Sequence, residues 1–262
     1  MTTPRIYKTE AIVLRQRKLG EAGKIITLYT PNYGKLDAVA KGVRRPKSRL
    51  AGHLEVLTHT AVMLAHGRNL DIVTQAQAME SFAPLRADLH RLSRALYAAE
   101  LVDRFSPEGA ESYQVFQLLL ATLRRLAAAR NVDTVLRHLE MRLLTLAGFQ
   151  PQLARCVSCQ RALAATPNYF SPAAGGVLCP SCGQEAGGAR PLSLNALKVM
   201  RLLQNGSFTE VSRVRIGPGL AQELEMHLRV YLIHVLERDV RSAAFIDRLR
   251  REGLWEPAGV SS

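Results

Sequence analysis

The sequence predicts an α+β multidomain protein. An N-terminal five-stranded OB-fold β-barrel is expected to precede a helical bundle, and an inserted four-cysteine zinc module to interrupt that bundle. Three observations predict this. Residues 1–82 alternate short β-branched and aromatic runs with glycine-containing turns. From Pro84 onward, apolar residues recur at three- and four-residue steps. All four cysteines fall in one Pro/Gly-rich stretch, 151–190. At 262 residues, the chain suits one to two domains plus an insert and needs no disulfides to hold a core. The expected boundaries are a barrel at 1–82, a first helical part at 83–150, the zinc insert at 151–190 and a second helical part at 191–262.

The barrel strands are read in order. Ala11 to Leu14 and Ile25 to Tyr29 form the first two, and Pro31-Asn32-Tyr33-Gly34 turns the chain into Lys35 to Ala40. After a basic loop, Leu54 to Leu57 and Ala61 to Ala65 are apolar. Gly67-Arg68-Asn69 is a hairpin turn into Leu70 to Thr74. Five short strands suit an OB-fold, with an SH3-like barrel as the alternative.

Helical periodicity begins with Leu85, Leu89, Leu92, Leu96, Ala99 and Val102. Further runs cover about 112–129 and 132–147, with Gly148 as the stop. After the insert, Ser193 is a candidate N-cap for a helix ending at Asn205-Gly206. Leu220, Leu224, Leu228, Tyr231, Leu232 and Val235 mark one long final helix. The tail from Pro257 to Ser262 is expected to fray.

Composition excludes several classes. With 47% hydrophobic and 22% charged residues, the chain is ordinary globular material. No apolar run approaches the roughly 18 residues of a membrane span. The opening Met1-Thr2-Thr3-Pro4-Arg5 lacks a signal peptide's apolar stretch, so a cytoplasmic location is expected.

Charge supplies the first positive clue. The net is +13, and residues 1–50 carry 12 basic against 3 acidic side chains. Clustering of this kind is the footprint of a phosphate-binding surface. Lys41-Gly42-Val43-Arg44-Arg45-Pro46-Lys47-Ser48-Arg49 alone holds five cations in nine residues. Its bland reading is a solvated loop. However, Arg15, Arg17, Lys18, Lys24 and Lys35 lie nearby in sequence and favour a phosphate track. Aromatic stacking partners in the region are only Tyr7, Tyr29 and Tyr33, so counterion release should dominate and sequence preference be weak.

Cys156-Val157-Ser158-Cys159 and Cys179-Pro180-Ser181-Cys182 are two C-x-x-C pairs. In a reducing compartment this spacing favours four thiolates closing one tetrahedral structural zinc ion over disulfides or a redox pair. A closed site leaves no position for water, so it predicts folding and not catalysis. His53-Leu54-Glu55 and His138-Leu139-Glu140 invite a zinc-deaminase reading. That reading fails because Arg155 and Leu178, not proline, precede the cysteine pairs. Gly20-Glu21-Ala22-Gly23-Lys24-Ile25 lacks the first glycine and the Ser/Thr of a P-loop, and Gly217-Pro218-Gly219 lacks a third glycine. No catalytic residues and no nucleotide cofactor are expected.

One set of stretches runs through Glu10 to Arg15 with Leu19-Gly20-Glu21 and Thr27 to Thr30, then Gly34-Lys35-Leu36 with Ala40 to Arg49. Leu146 to Leu153 leading into Cys156, and Tyr169 to Pro172 before Gly175 to Cys179, complete the set. Together these stretches resemble the RecO family of bacterial DNA-repair and recombination mediators. The resemblance spans residues 1–185 in order; the C-terminal helices match only in general character. Gln160 stands where glycine is usual, a departure expected to cost little because the residue is no ligand.

The resemblance implies an OB-fold, a helical domain and a zinc module. It also implies binding of single- and double-stranded DNA, ATP-independent annealing of complementary strands, partnership with RecR, and help in loading RecA onto DNA covered by single-stranded DNA-binding protein. It further implies a nucleoid-associated bacterial location and no membrane partner. Direct contact with single-stranded DNA-binding protein has no visible motif. The candidate DNA track is Arg15, Lys24, Lys35, Lys41, Arg44, Arg45, Lys47 and Arg49. Of these, Lys35, Lys41, Arg44 and Arg45 match family motif positions, and the others rest on charge clustering. The candidate metal ligands are Cys156, Cys159, Cys179 and Cys182. The rival class is a zinc-ribbon RNA-binding or transcription-linked adaptor.

Overall fold

The structure is a computed structural model and describes residues 6–237 and 240–252. The chain forms two compact units, residues 1–130 with 241–262, and residues 131–240. The first unit holds 24 basic and 14 acidic residues, so it carries +10 of the total +13.

The first unit opens with a closed barrel of order β1-β2-β3-β5-β4. Its strands are β1 (Ile6–Leu19), β2 (Gly23–Thr30), β3 (Gly34–Ala40), β4 (His59–Ala65) and β5 (Asp71–Glu80). β1 is long because it serves two partners. Its first half pairs with β4 and its second with β2, and a register shift between Val13 and Arg15 bends it around the corner. A short parallel pairing of β3 with β5 (Ala38 to Asp71, Val39 to Ile72) closes the barrel. This is the five-stranded Greek-key OB barrel and not the SH3-like alternative. Small residues (Ala11, Ala38, Ala40) let Val13, Ile26, Leu28, Val62, Leu64 and Val73 fill the narrow interior. The apolar run at 54–57 is no strand. Leu54 plugs the barrel at full burial, after a 3-10 turn at Ala51–His53.

Helices α1 (Ala83–Arg86), α2 (Leu89–Phe105) and α3 (Tyr113–Ala128) follow. Asp88 caps α2 by accepting from His90 and Arg91 N–H, and Ser112 caps α3 through Val115 N–H. At Gly34, in the turn before β3, φ is +61° and a Cβ would overlap the Ala110 carbonyl, so only glycine fits.

The second unit is helical around a small sheet. It contains α4 (Val132–Leu146), β6 (Asn168–Ser171), β7 (Gly176–Leu178), α5 (Pro180–Glu185) and β8 (Arg190–Leu192). It then continues through α6 (Leu194–Asn205), α7 (Phe208–Ser212) and α8 (Pro218–Leu236). α4 ends at Gly148, whose φ of +83° breaks the helix as the sequence suggests. The anticipated cap at Ser193 is present, its Oγ accepting from Ala196 N–H over 3.1 Å. Glu223 of α8 accepts from both the N–H and the Oγ of Ser193, which ties α8 to the start of α6.

α8 is the long helix expected, but it is not the last. A further helix, α9 (Arg241–Arg251), returns to the first unit. The fraying expected at 257–262 lies outside the described residues.

Candidate metal centre and nucleic-acid interface

Two knuckles and a helix start bring the cysteines together. In the first knuckle, Gln160 N–H donates to the Cys156 carbonyl (3.0 Å), and Cys156 N–H donates to the Arg161 carbonyl (2.9 Å). The second pair opens α5, where Pro180 at the first helical position needs no amide partner. The knuckle is stitched to the small sheet by Val157 N–H donating to the Val177 carbonyl and Val177 N–H to that of Gln152, both at 2.9 Å. As a result, the four Sγ atoms lie within 4.8 Å of one another, with Cys159 and Cys179 3.8 Å apart. None is in a disulfide.

A tetrahedral zinc with Zn–S near 2.3 Å requires sulfurs about 3.8 Å apart, so this donor set fits such an ion. Electrostatics agree. Arg161 Nε donates to Cys159 Sγ (3.4 Å) and draws that thiol down to about 6. Crowding by the other sulfurs, Cys179 first, pushes Cys182 up to about 12. Without a cation, ionising one sulfur opposes ionising the next. A divalent ion reverses that opposition.

The basic segment sits on the barrel of the other unit. Its backbone is ordered by two turns, with Arg45 N–H donating to the Gly42 carbonyl (3.0 Å) and Ser48 N–H to the Arg45 carbonyl (2.9 Å). Val43 anchors it in the barrel core. Arg44 fastens it to the β1–β2 turn, through its N–H on the Ala22 carbonyl and its guanidinium on the Glu21 carbonyl. Between these anchors, Lys41, Arg45, Lys47 and Arg49 are exposed and have no side-chain partner among the described residues.

The remaining candidates stand differently. Arg15 pairs with Asp103 at 3.0 Å while half exposed. Lys24 donates to Gln16 Oε1 at 2.6 Å and faces Glu55 at 3.8 Å. Lys35 is only 13% exposed and binds both the carboxylate and the carbonyl of Asp103. Of the three tyrosines, Tyr29 is buried. Tyr7 donates to Asp71 and leans on Tyr33, ring centroids 4.7 Å apart, which leaves Tyr33 as the exposed ring.

The deaminase-like motifs stay apart from the sulfurs in role. His53 Nδ1 accepts from Ala78 N–H, and His138 and Glu140 are buried in α4. Sequence reading missed α9, whose arginines join the barrel's unit although they lie far along the chain. Their spacing (Arg241, Arg248, Arg251) on an amphipathic run was the available signal.

A basic OB barrel, a helical domain and a closed four-thiol cluster define a nucleic-acid-handling class of protein. The chain belongs to the RecO family. The domain family described as Recombination protein O N terminal matches residues 1–82, and Recombination protein O C terminal matches residues 86–244. A DNA repair protein RecO of Roseiflexus sp. (strain RS-1) is 47% identical over 259 residues, covering 98% of this chain and 91% of the relative. Proteins of the same name from Dehalococcoides mccartyi (strain CBDB1) and Symbiobacterium thermophilum are 41% and 40% identical, over 95% and 94% of this chain and 98% of each relative. No described helix is long and apolar enough to cross a membrane.

Proposed function

We propose that this chain is a non-enzymatic mediator of DNA repair and homologous recombination. It binds single- and double-stranded DNA without sequence preference and anneals complementary strands without ATP. With RecR it helps load RecA onto DNA covered by single-stranded DNA-binding protein. Its working place is the bacterial cytoplasm, on the nucleoid.

The observation that carries the reading is the ordered loop 41–49, which presents Lys41, Arg45, Lys47 and Arg49 exposed on an OB barrel, unpaired among the described residues. Phosphate contacts position a strand without reading its bases, and so suit a protein that must accept any sequence. Annealing is downhill once two phosphate chains are screened, so no energy source is required. The four cysteines would hold one structural Zn2+, which stabilises the second unit and leaves no open coordination position.

The test is annealing of two complementary labelled oligonucleotides followed by fluorescence transfer, without ATP and with EDTA present. Acceleration that fades as salt rises supports the mediator reading. Folded protein that gives no acceleration, but prefers structured RNA over single-stranded DNA in competition, supports an adaptor instead.

A further inference from the structure

We propose that the outer face of α9 is a second strand-binding surface, which takes the phosphates of a single strand on Arg241, Arg248 and Arg251 and a base on Phe245. The inference rests on the DNA-handling reading above and goes beyond the barrel loop to which that reading is tied.

The helix has two sides. Ala243, Ile246 and Leu249 are buried and form the inner side. Arg241, Phe245, Arg248 and Arg251 sit at positions i, i+4, i+7 and i+10, all exposed, Phe245 at 39%. Among the described residues, none of the three guanidiniums has a partner. Glu252 ends the same face, which leaves a net of +2 around one open aromatic ring. An arginine–aromatic stripe is the chemistry of single-strand binding, where cations track the backbone and the ring stacks an unpaired base.

The fold also fixes the start of this helix on α2, close to where α2 meets the barrel. Glu100 on α2 accepts from the backbone N–H groups of Arg241 and Ser242 at the start of α9. One turn later on the same side of α2, Asp103 binds Arg15 and Lys35 of the barrel. A single turn of α2 therefore adjoins both the start of α9 and two barrel cations, Arg15 and Lys35, whose charge Asp103 partly offsets. Two surfaces in one unit would let one chain hold both complements during annealing.

The experiment uses the full chain and fluorescence anisotropy of a labelled oligo-dT across a salt series. Arg241→Ala/Arg248→Ala/Arg251→Ala should flatten the slope of log K against log salt by about 2, since each single-strand phosphate contact is worth about 0.7. The same substitutions to Gln, which keep the long side chain, should flatten it equally and guard against misfolding. Phe245→Ala should lower the preference for oligo-dT over an abasic strand of equal charge several-fold, and leave the slope unchanged. If folded variants keep the parental slope and the parental dT preference, α9 is only a structural strap and the inference falls while the mediator reading stands. If the parent binds no strand at all, the mediator reading itself fails.

Discussion

The backbone N–H of Ser242 donates to Glu100 Oε2 over 2.7 Å, so a carboxylate on one helix caps the start of another 142 residues away. Arg241 N–H adds a 3.0 Å bond to Oε1, and Arg104 braces the same oxygen at 2.6 Å. Free amides at a helix start need such acceptors.

Glu100→Ala should therefore cost about 1–2 kcal/mol and loosen α9 first. Limited proteolysis after the arginines of α9 reads this directly. Burial would raise the Glu100 carboxyl, but the Ser242, Arg241 and Arg104 donors outweigh it and hold the group below the usual carboxylate range. A carboxyl with a lowered folded value stabilises above the unfolded value of about 4.3 and loses that stabilisation as pH falls. Cleavage in α9 should accordingly rise below about pH 4.3, and Glu100→Ala should remove most of that rise.

His227 makes the second unit acid-sensitive at milder pH. Its Nε2–H donates to the Pro191 carbonyl at 3.1 Å, while among the described residues nothing stands ready to accept a hydrogen bond from a second proton on buried Nδ1. Burial holds the imidazole below 6.5, against an opposing pull from Glu223. Above pH 6.5 both folded and unfolded states are neutral there and the full stability is present. Below it, the unfolded chain takes a proton that the folded one refuses, so stability falls with pH. Denaturant midpoints at pH 7.5 and 5.5 should differ, and His227→Gln should shrink the difference.

Metal removal should unsettle the same unit. Cys156→Ser, or extraction with a strong zinc chelator, should lower its melting temperature. Metal analysis of the parent should return about one zinc per chain. A parent that is metal-free and equally stable would leave the four thiols as mere core packing. The barrel loop should be indifferent to either treatment, so strand affinity is the control.

Two backbone positions test the module from the other side. A Cβ on Gly183, just after the second cysteine pair, would overlap the Tyr169 ring. Gly183→Ala should therefore destabilise the insert strongly. Gln160 has φ of +60°, the left-handed region that costs a non-glycine residue about 1–2 kcal/mol. The expectation that Gln160 costs little weighed only metal ligation and missed this strain. Gln160→Gly should raise the melting temperature of the second unit.

The barrel, the four-cysteine cluster and most helices were legible because each has a local signature: alternation, paired C-x-x-C, and three-four periodicity ended by Gly148 or opened by Ser193. What was not legible depends on contacts distant in sequence. Nothing local says that Leu54 plugs a barrel, or that α9 crosses back to meet Glu100. Nor does charge density distinguish Lys41, which faces water, from Lys35, six residues earlier and held by Asp103. Partner choice in space decides that, and composition does not record it.

That division of cations gives the last prediction. Arg45→Ala, Lys47→Ala and Arg49→Ala together remove exposed charges that hold nothing in place, so stability should change little, within about 0.5 kcal/mol per site. The salt slope for single-strand binding should flatten by about 2 if each meets a phosphate. Lys35→Ala should do the reverse. It strands Asp103 with half its partners, so it should cost stability while leaving the salt slope near the parental value. Measuring melting temperature and salt slope on the same two proteins separates the roles. A Lys35 variant with a flattened slope and unchanged stability would return Lys35 to the DNA track. A silent 45/47/49 variant would move strand binding off the loop, toward α9.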